Sequence, residues 1–255
     1  MIRRRKDEVL KDLPPKTRNT VHIEAVVSSQ LRDNLSKLRS GKDKSVETTW
    51  GSRRERDLLI TSLYRDTCKA KLDSVRSYVE TFIECTEDKI IIFAHHHAML
   101  DAIQLQVEAL GVRHIRIDGS VPPGTRFQYV DEFQTVPECR IAIISITAGG
   151  TGVTLNAASK VIFAELYWTP SLLLQAEDRA HRIGQKNHVS VYYLIAQDTF
   201  DTILWSIVKK KIKVVSLSLD GETREFTSSL TDSFPGQEDS IPIDLEDSDI
   251  FQVLE

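Results

Sequence analysis

Short apolar runs alternate with longer amphipathic ones across the central part of the chain. Ile90 to Ala94, His114 to Ile117, Arg140 to Ile144, Val161 to Ala164 and Val189 to Leu194 are rich in β-branched residues, which predicts buried strands. Between them, His97 to Leu110, Gly124 to Gln134 and Pro170 to Arg182 have helix length and helix spacing, and Thr199 to Leu217 predicts a last helix. Strands separated by helices cannot pair as hairpins, so the pattern predicts an α/β fold with a parallel sheet covered on both faces.

Before Lys89 the pattern is different. Met1 to Leu13 places Ile2, Val9 and Leu13 near one helical face, and Pro14-Pro15 stops it. Thr20 to Val27 predicts a short strand, Ser28 to Leu38 a helix, Ser40 to Ser52 a polar loop, and Arg53 to Glu84 one long helix or two. After Asp220 no period is sustained, which predicts a disordered tail. The chain thus divides into 1–27, a helical insertion 28–86, an α/β lobe 87–217 and a tail 218–255, with no internal repeat.

Composition narrows the class. Apolar residues make up 41% of the 255 and charged residues 27%, as in an ordinary globular protein. No apolar run approaches the roughly 18 residues of a membrane helix, and the basic start Met1-Ile-Arg-Arg-Arg-Lys6 has no apolar stretch behind it, as a secretory signal would. Cys68, Cys85 and Cys139 are too scattered for a disulfide framework or a zinc knuckle, and fit a reducing compartment. The net charge of −4 is uneven: residues 221–255 hold ten acids and one base, −9, so the rest carries +5. A mildly basic body is compatible with a polyanion partner; an acidic tail is equally well explained as a solvated segment.

Two segments carry candidate chemistry. In Pro170 to Gln185, Leu173, Ala176, Ala180 and Ile183 form an apolar stripe behind a Thr169 cap and Pro170. Gln175, Arg179 and Arg182 are spaced four and three apart on another face, where paired planar donors suit an anion with several oxygens. The same spacing also fits a surface ion pair between Asp178 and Arg182. Ser145 to Asn156 follows a predicted strand and contains Gly149, Gly150 and Gly152, a composition that fits a phosphate-approaching loop or a tight turn. It matches neither a Walker loop nor GxGxxG. His95-His96-His97 lacks flanking ligands, and no metal is expected there.

These segments together resemble the carboxy-terminal motor lobe of Swi/Snf-type superfamily-two helicases. Gln175-Ala-Glu-Asp-Arg-Ala-His-Arg-Ile-Gly-Gln185 is similar to that family's sixth motif, Ser145 to Asn156 to its fifth, Lys89 to His97 to its fourth, and Ile117-Asp-Gly-Ser120 to the segment after it. Met1 to Lys16 resembles the connector between the two lobes, which makes 1–27 an inter-lobe connector. Phe93-Ala-His-His96, Ile115 to Ser120 and Phe163 to Trp168 resemble the annealing-helicase branch of HepA-related proteins, which rewinds DNA at stalled forks.

The resemblance implies a RecA-like lobe of a nuclear, DNA-dependent ATPase, with ATP and Mg²⁺ held mainly by another lobe. Arg179 and Arg182 become arginine fingers, with Gln175 beside them and Gly150 and Gly152 on the nucleotide side of motif five. Ser145, His95, Gly119 and Ser120 become contacts to a DNA backbone. Trp168 either couples the two motifs or is a buried anchor. Thr147 stands where many remodellers carry arginine. The chain has no GK[ST] loop and no Asp-Glu pair closing a buried strand, so it is expected to be a partial motor, inactive without an amino-terminal lobe. Forked or branched DNA is the expected partner, with no membrane. A nucleosome-remodelling motor lobe and a non-catalytic DNA- or protein-binding module are the alternatives.

Overall fold

The computed structural model describes residues 13–40, 53–148 and 153–220. The expected amino-terminal helix, the Ser40 to Ser52 loop beyond Ser40, Gly149 to Gly152 and the acidic tail lie outside the described residues. Six strands form one parallel sheet: β1 (Lys16–Ile23), β2 (Ile90–Ala94), β3 (Arg113–Ile117), β4 (Cys139–Ser145), β5 (Lys160–Phe163) and β6 (Val189–Ala196). Their spatial order is β1-β6-β5-β2-β4-β3. The helices are α1 (Ser29–Ser40), α2 (Arg53–Glu84), α3 (His97–Ala109), α4 (Pro123–Thr135), α5 (Pro170–Ala180) and α6 (Phe200–Asp220).

The central strand β2 is apolar throughout because it is covered twice. Ile91 and Phe93 join a core with Phe133 of α4, Leu173 and Ala176 of α5, and Phe200 and Leu204 of α6. Ile90, Ile92 and Ala94 face Val75 and Val79 of α2 and Met99 and Ile103 of α3. The two-residue alternation of strand side chains divides these layers. Arg53 to Glu84 is a single 32-residue helix. Its first half packs Ile60, Leu63 and Tyr64 into one core, and its second half covers the other face.

Two boundaries differ from the sequence expectation. The strand expected at Thr20 to Val27 starts earlier and stops at Ile23, and it forms the sheet edge beside β6, in register from Lys16↔Val189 to Ile23↔Ala196. The segment 1–27 therefore contributes a strand to the same sheet as 87–217. The helix expected over Pro170 to Arg182 ends at Ala180. No helix of the described residues is long and apolar enough to cross a membrane.

Chain connections leave the neighbours β2 and β5 in opposite directions, to β3 on one side and β6 on the other. That makes the crevice beyond their carboxyl ends a topological switch point, where α/β folds place ligands. The segments after β2, β3, β4 and β5, which carry most of the candidate residues, all lie along this carboxyl edge.

Candidate functional site

Helix α5 begins as its sequence requires at Pro170, although the Thr169 side chain makes no cap bond. Leu173, Ala176 and Ala180 are buried, as expected, but Ile183 is 69% exposed. The helix stops because the chain after it is held elsewhere. Gly184 has φ +96, a backbone conformation that favours glycine, and a Cβ there would push aside the Asn156 side-chain amide 2.5 Å away. Gln185 Nε2 donates to Ala158 O at 2.7 Å, and the Gln185 side-chain oxygen accepts from the Lys186 and Asn187 amides. Leu155 N donates to Arg179 O at 2.9 Å.

Arg182 is thus delivered by this turn and does not share a helical face with Gln175 and Arg179. The turn nevertheless brings the two arginines together. Arg179 Nη1 donates to Val153 O at 3.4 Å and Arg182 Nη1 to Thr154 Oγ1 at 2.9 Å, both in the segment that leaves the glycine cluster. Burial, and then the neighbouring Arg182 charge, holds the Arg179 guanidinium below the usual arginine range. Two cations that raise one another's electrostatic energy form a donor set that a polyanion would relieve. Arg182 and Gln175 are exposed. Asp178, the alternative ion-pair partner of Arg182, faces Lys16 at 3.3 Å.

Behind the arginines lies a charge that sequence reasoning missed. Glu177 is fully buried. Its Oε1 accepts from Arg18 Nε and Tyr193 OH, and its Oε2 from Arg18 Nη2 and Lys16 Nζ, all at 2.7 Å. Burial pushes its carboxyl pKa up, but Lys16 and Arg18 outweigh that and hold it at about 2. The available signal was an acid placed at 177, inside the apolar stripe of 173, 176 and 180.

The expected DNA contacts fare differently. His95 is half-buried among the rings of Tyr64, His96, Tyr167 and Trp168. Its amide donates to Glu165 Oε2 at 2.8 Å. Burial first, then His96, lowers the imidazole pKa to about 4, so the ring is neutral at pH 7. It offers no cation to a phosphate. Ser145 is 5% exposed with its hydroxyl bonded to Thr147 Oγ1 at 3.0 Å, and Thr147 is the exposed member of that pair. The Ser145 hydroxyl is thus turned toward Thr147. Gly119 and Ser120 are exposed in the turn after β3. Ser120 donates its amide and hydroxyl to Asp118, which lowers the Asp118 pKa. A side chain at Gly119 would meet nothing, so local packing does not ask for glycine there. Gly150 and Gly152 lie outside the described residues. Trp168 is 3% exposed and packs edge-on to Tyr64, as a buried anchor does.

The switch point holds a second buried acid. Glu165 accepts from the amides of His95 and His96 and, at 2.6 Å, from His96 Nδ1. Burial raises its pKa, but the His96 bond and charge overcome that and bring it to about 2. Ligand atoms of Cys68, His96 and Glu165 lie within 4.8 Å of one another, a grouping the sequence did not suggest. Both carboxylate oxygens already accept N–H bonds, and burial pushes the Cys68 thiol pKa up. A neutral thiol is a poor metal ligand. The cluster joins α2, the turn after β2 and the segment after β5 through hydrogen bonds.

Comparison with known proteins matches residues 70–184 to the helicase conserved C-terminal domain. The DNA annealing helicase and endonuclease ZRANB3 of Mus musculus is 40% identical over 238 residues, covering 91% of this chain and 22% of that protein. The SWI/SNF-related matrix-associated actin-dependent regulator of chromatin subfamily A-like protein 1 homolog of Caenorhabditis elegans is 43% identical over 228 residues, covering 86% of this chain and 32% of its own length. The chain spans about a fifth to a third of the length of these relatives. The C-terminal part of the Fun30 ATPase domain has the same fold, with a TM-score of 0.63 at 19% identity over 77% of this chain and 90% of that one.

Proposed function

We propose that this chain, matched over residues 70–184 by the helicase conserved C-terminal domain and similar to Swi/Snf-related relatives, is the C-terminal lobe of a Swi/Snf-type helicase and the second motor lobe of an ATP-dependent DNA translocase. In this reading it is of the annealing-helicase branch and acts on forked or branched DNA in replication-fork repair, in the nucleus. A first lobe would hold most of the ATP and its Mg²⁺, and the γ-phosphoryl group would pass from ADP to water. Arg179 and Arg182 donate to its oxygens as negative charge develops there, which is the work of arginine fingers. Gln175, exposed on the same helix, orients the nucleotide side of the cleft together with Gly150 and Gly152. Gly119 and Ser120, exposed in the turn that Asp118 fixes after β3, lie against the DNA backbone, a contact that positions without reading sequence. Ser145, bonded to the exposed Thr147 hydroxyl, belongs to the same set of backbone contacts.

The observation that carries the reading is the convergence of Arg179 and Arg182 on Val153 and Thr154, beside the glycine cluster, with Arg182 exposed. The test is made in the two-lobe motor. Arg182→Ala is expected to lower DNA-stimulated ATPase by roughly 10³-fold or more, with affinity for forked DNA nearly unchanged. Arg182→Lys should not rescue, because a point charge lacks the planar fork. Wild-type turnover in both variants would remove the catalytic assignment.

A further inference from the structure

The helix that carries Arg179 is fastened on both sides of that residue, to β1 and to the proline segment that enters it. Two residues before Arg179, Glu177 takes a two-bond fork from Arg18 and a third charged bond from Lys16. Four residues on, at the helix end, His181 Nε2 donates to Pro14 O at 2.7 Å. Positions 177 and 181 share a helical face. Arg179 lies about 200° round the helix from Glu177 and reaches the opposite way, to Val153. On the strand, Lys16 and Arg18 are two apart and point to one side, so a single carboxylate can hold both.

Mere adhesion of β1 to the helix does not require charge. Elsewhere α5 is packed by Leu173, Ala176 and Ala180, and well-packed apolar groups do as well as a buried ion pair in stabilising a fold. A carboxylate fork adds direction: two parallel bonds fix the angle between guanidinium and carboxylate as well as their distance. The chain entering β1 is stiffened by Pro14-Pro15, whose rings lock φ. A displacement of that segment is carried into β1 and not absorbed by a turn.

We propose that Glu177 is a positioning residue through which β1 sets the place of Arg179 and Arg182, linking the connector to the arginine pair. The inference rests on the reading of that pair as the groups that meet ATP. Lys16 and Arg18 hold the carboxylate, the carboxylate holds the helix, and the helix and its Gly184 turn hold the two guanidiniums against Val153 and Thr154. The effect is on the geometry of the transition state and not on the affinity for nucleotide or DNA.

The experiment compares two variants in the two-lobe motor, with Arg182→Ala beside them. The triple variant Lys16→Met, Arg18→Met, Glu177→Leu replaces the buried charges by apolar groups; Arg18→Lys keeps the charge and loses the fork. Both are expected to lower kcat, the triple variant by about 10-fold to 100-fold as for a small misplacement of a reacting group, and Arg18→Lys by a few-fold. KM for ATP and the Kd for forked DNA should stay within about twofold, as misplacement after binding requires. Amide exchange at Leu155 and at His181 to Gln185 is read on the same proteins and should quicken in both. If the triple variant keeps the wild-type melting temperature, kcat and exchange, the ion network is only structural and the inference is overturned. If the triple variant does not fold, Arg18→Lys decides by the same measures. Full activity in Arg182→Ala would strike the finger reading instead. Exchange would then still test whether Glu177 holds the turn, and unchanged exchange would overturn this inference on its own.

Discussion

Replacing His95 by phenylalanine separates two roles for this ring, a cation for DNA and a neutral member of an aromatic cluster. Phenylalanine keeps the contacts to Tyr64, Tyr167 and Trp168, and leaves the amide bond to Glu165 in place. It also removes Nδ1, a buried nitrogen with no hydrogen-bond partner among the described residues. The imidazole pKa falls from 6.5 to about 4 on folding. Between those values the unfolded chain binds the proton and the folded chain does not, so stability falls as pH drops from about 6.5 towards 4. The full displacement corresponds to about 3 kcal/mol, of which about 2 kcal/mol is lost by pH 5. The ring is only half-buried, and solvent screening reduces the expected loss at pH 5 to about 1 kcal/mol. That is about 2 to 4 °C in melting temperature for a folded unit of this size. Wild type and His95→Phe are melted at pH 7.5 and pH 5.0, and the difference between the two proteins is compared at each pH. The gap should shift by about 1 kcal/mol in favour of the variant on acidification, other titrating groups being common to both. In the two-lobe motor the salt dependence of DNA affinity at pH 7.5 should be unchanged, since an uncharged ring releases no counterion. A gap that is the same at both pH values, or a smaller salt slope in the variant, would refute the neutral-ring assignment.

Two further outcomes follow from the packing of the long helix. Lys71 and Asp201 are each 1% exposed and paired at 2.7 Å, so Lys71→Met should destabilise by about 3 to 5 kcal/mol by stranding a buried carboxylate. Adding Asp201→Asn should recover most of that in urea unfolding, and a single-variant loss below about 1 kcal/mol would show the pair to be relaxed by water. Tyr64 OH donates to Leu166 O at 2.6 Å in a buried setting, so Tyr64→Phe should lose about 1 to 2 kcal/mol of stability. Equal unfolding midpoints for Tyr64→Phe and wild type would mean that the carbonyl finds another donor.

Where a segment's own side chains decided its environment, the sequence determined the structure. The run Ile90 to Ala94 became a strand covered on both faces with the expected bounds, because five apolar residues in succession have no solvent face to offer. Arg53 to Glu84 held as a helix throughout because no proline or glycine interrupts it. The closeness of Arg179 and Arg182 was legible from their spacing, although the route was not. The helix ends at Ala180 because Gln185 and Ile183 are held by Ala158 and Asn156, contacts made across 27 residues of chain. Tertiary packing decided the rest. Nothing local to His95 tells that Tyr64, Tyr167 and Trp168 will enclose it, since enclosure depends on which elements lie across the switch point. Glu177 is the clearest case: an acid in an apolar stripe is stable only beside partners, and Lys16 and Arg18 come from a strand 159 and more residues away. A local pattern records what a residue will tolerate, and the assembled sheet determines which distant charge supplies it.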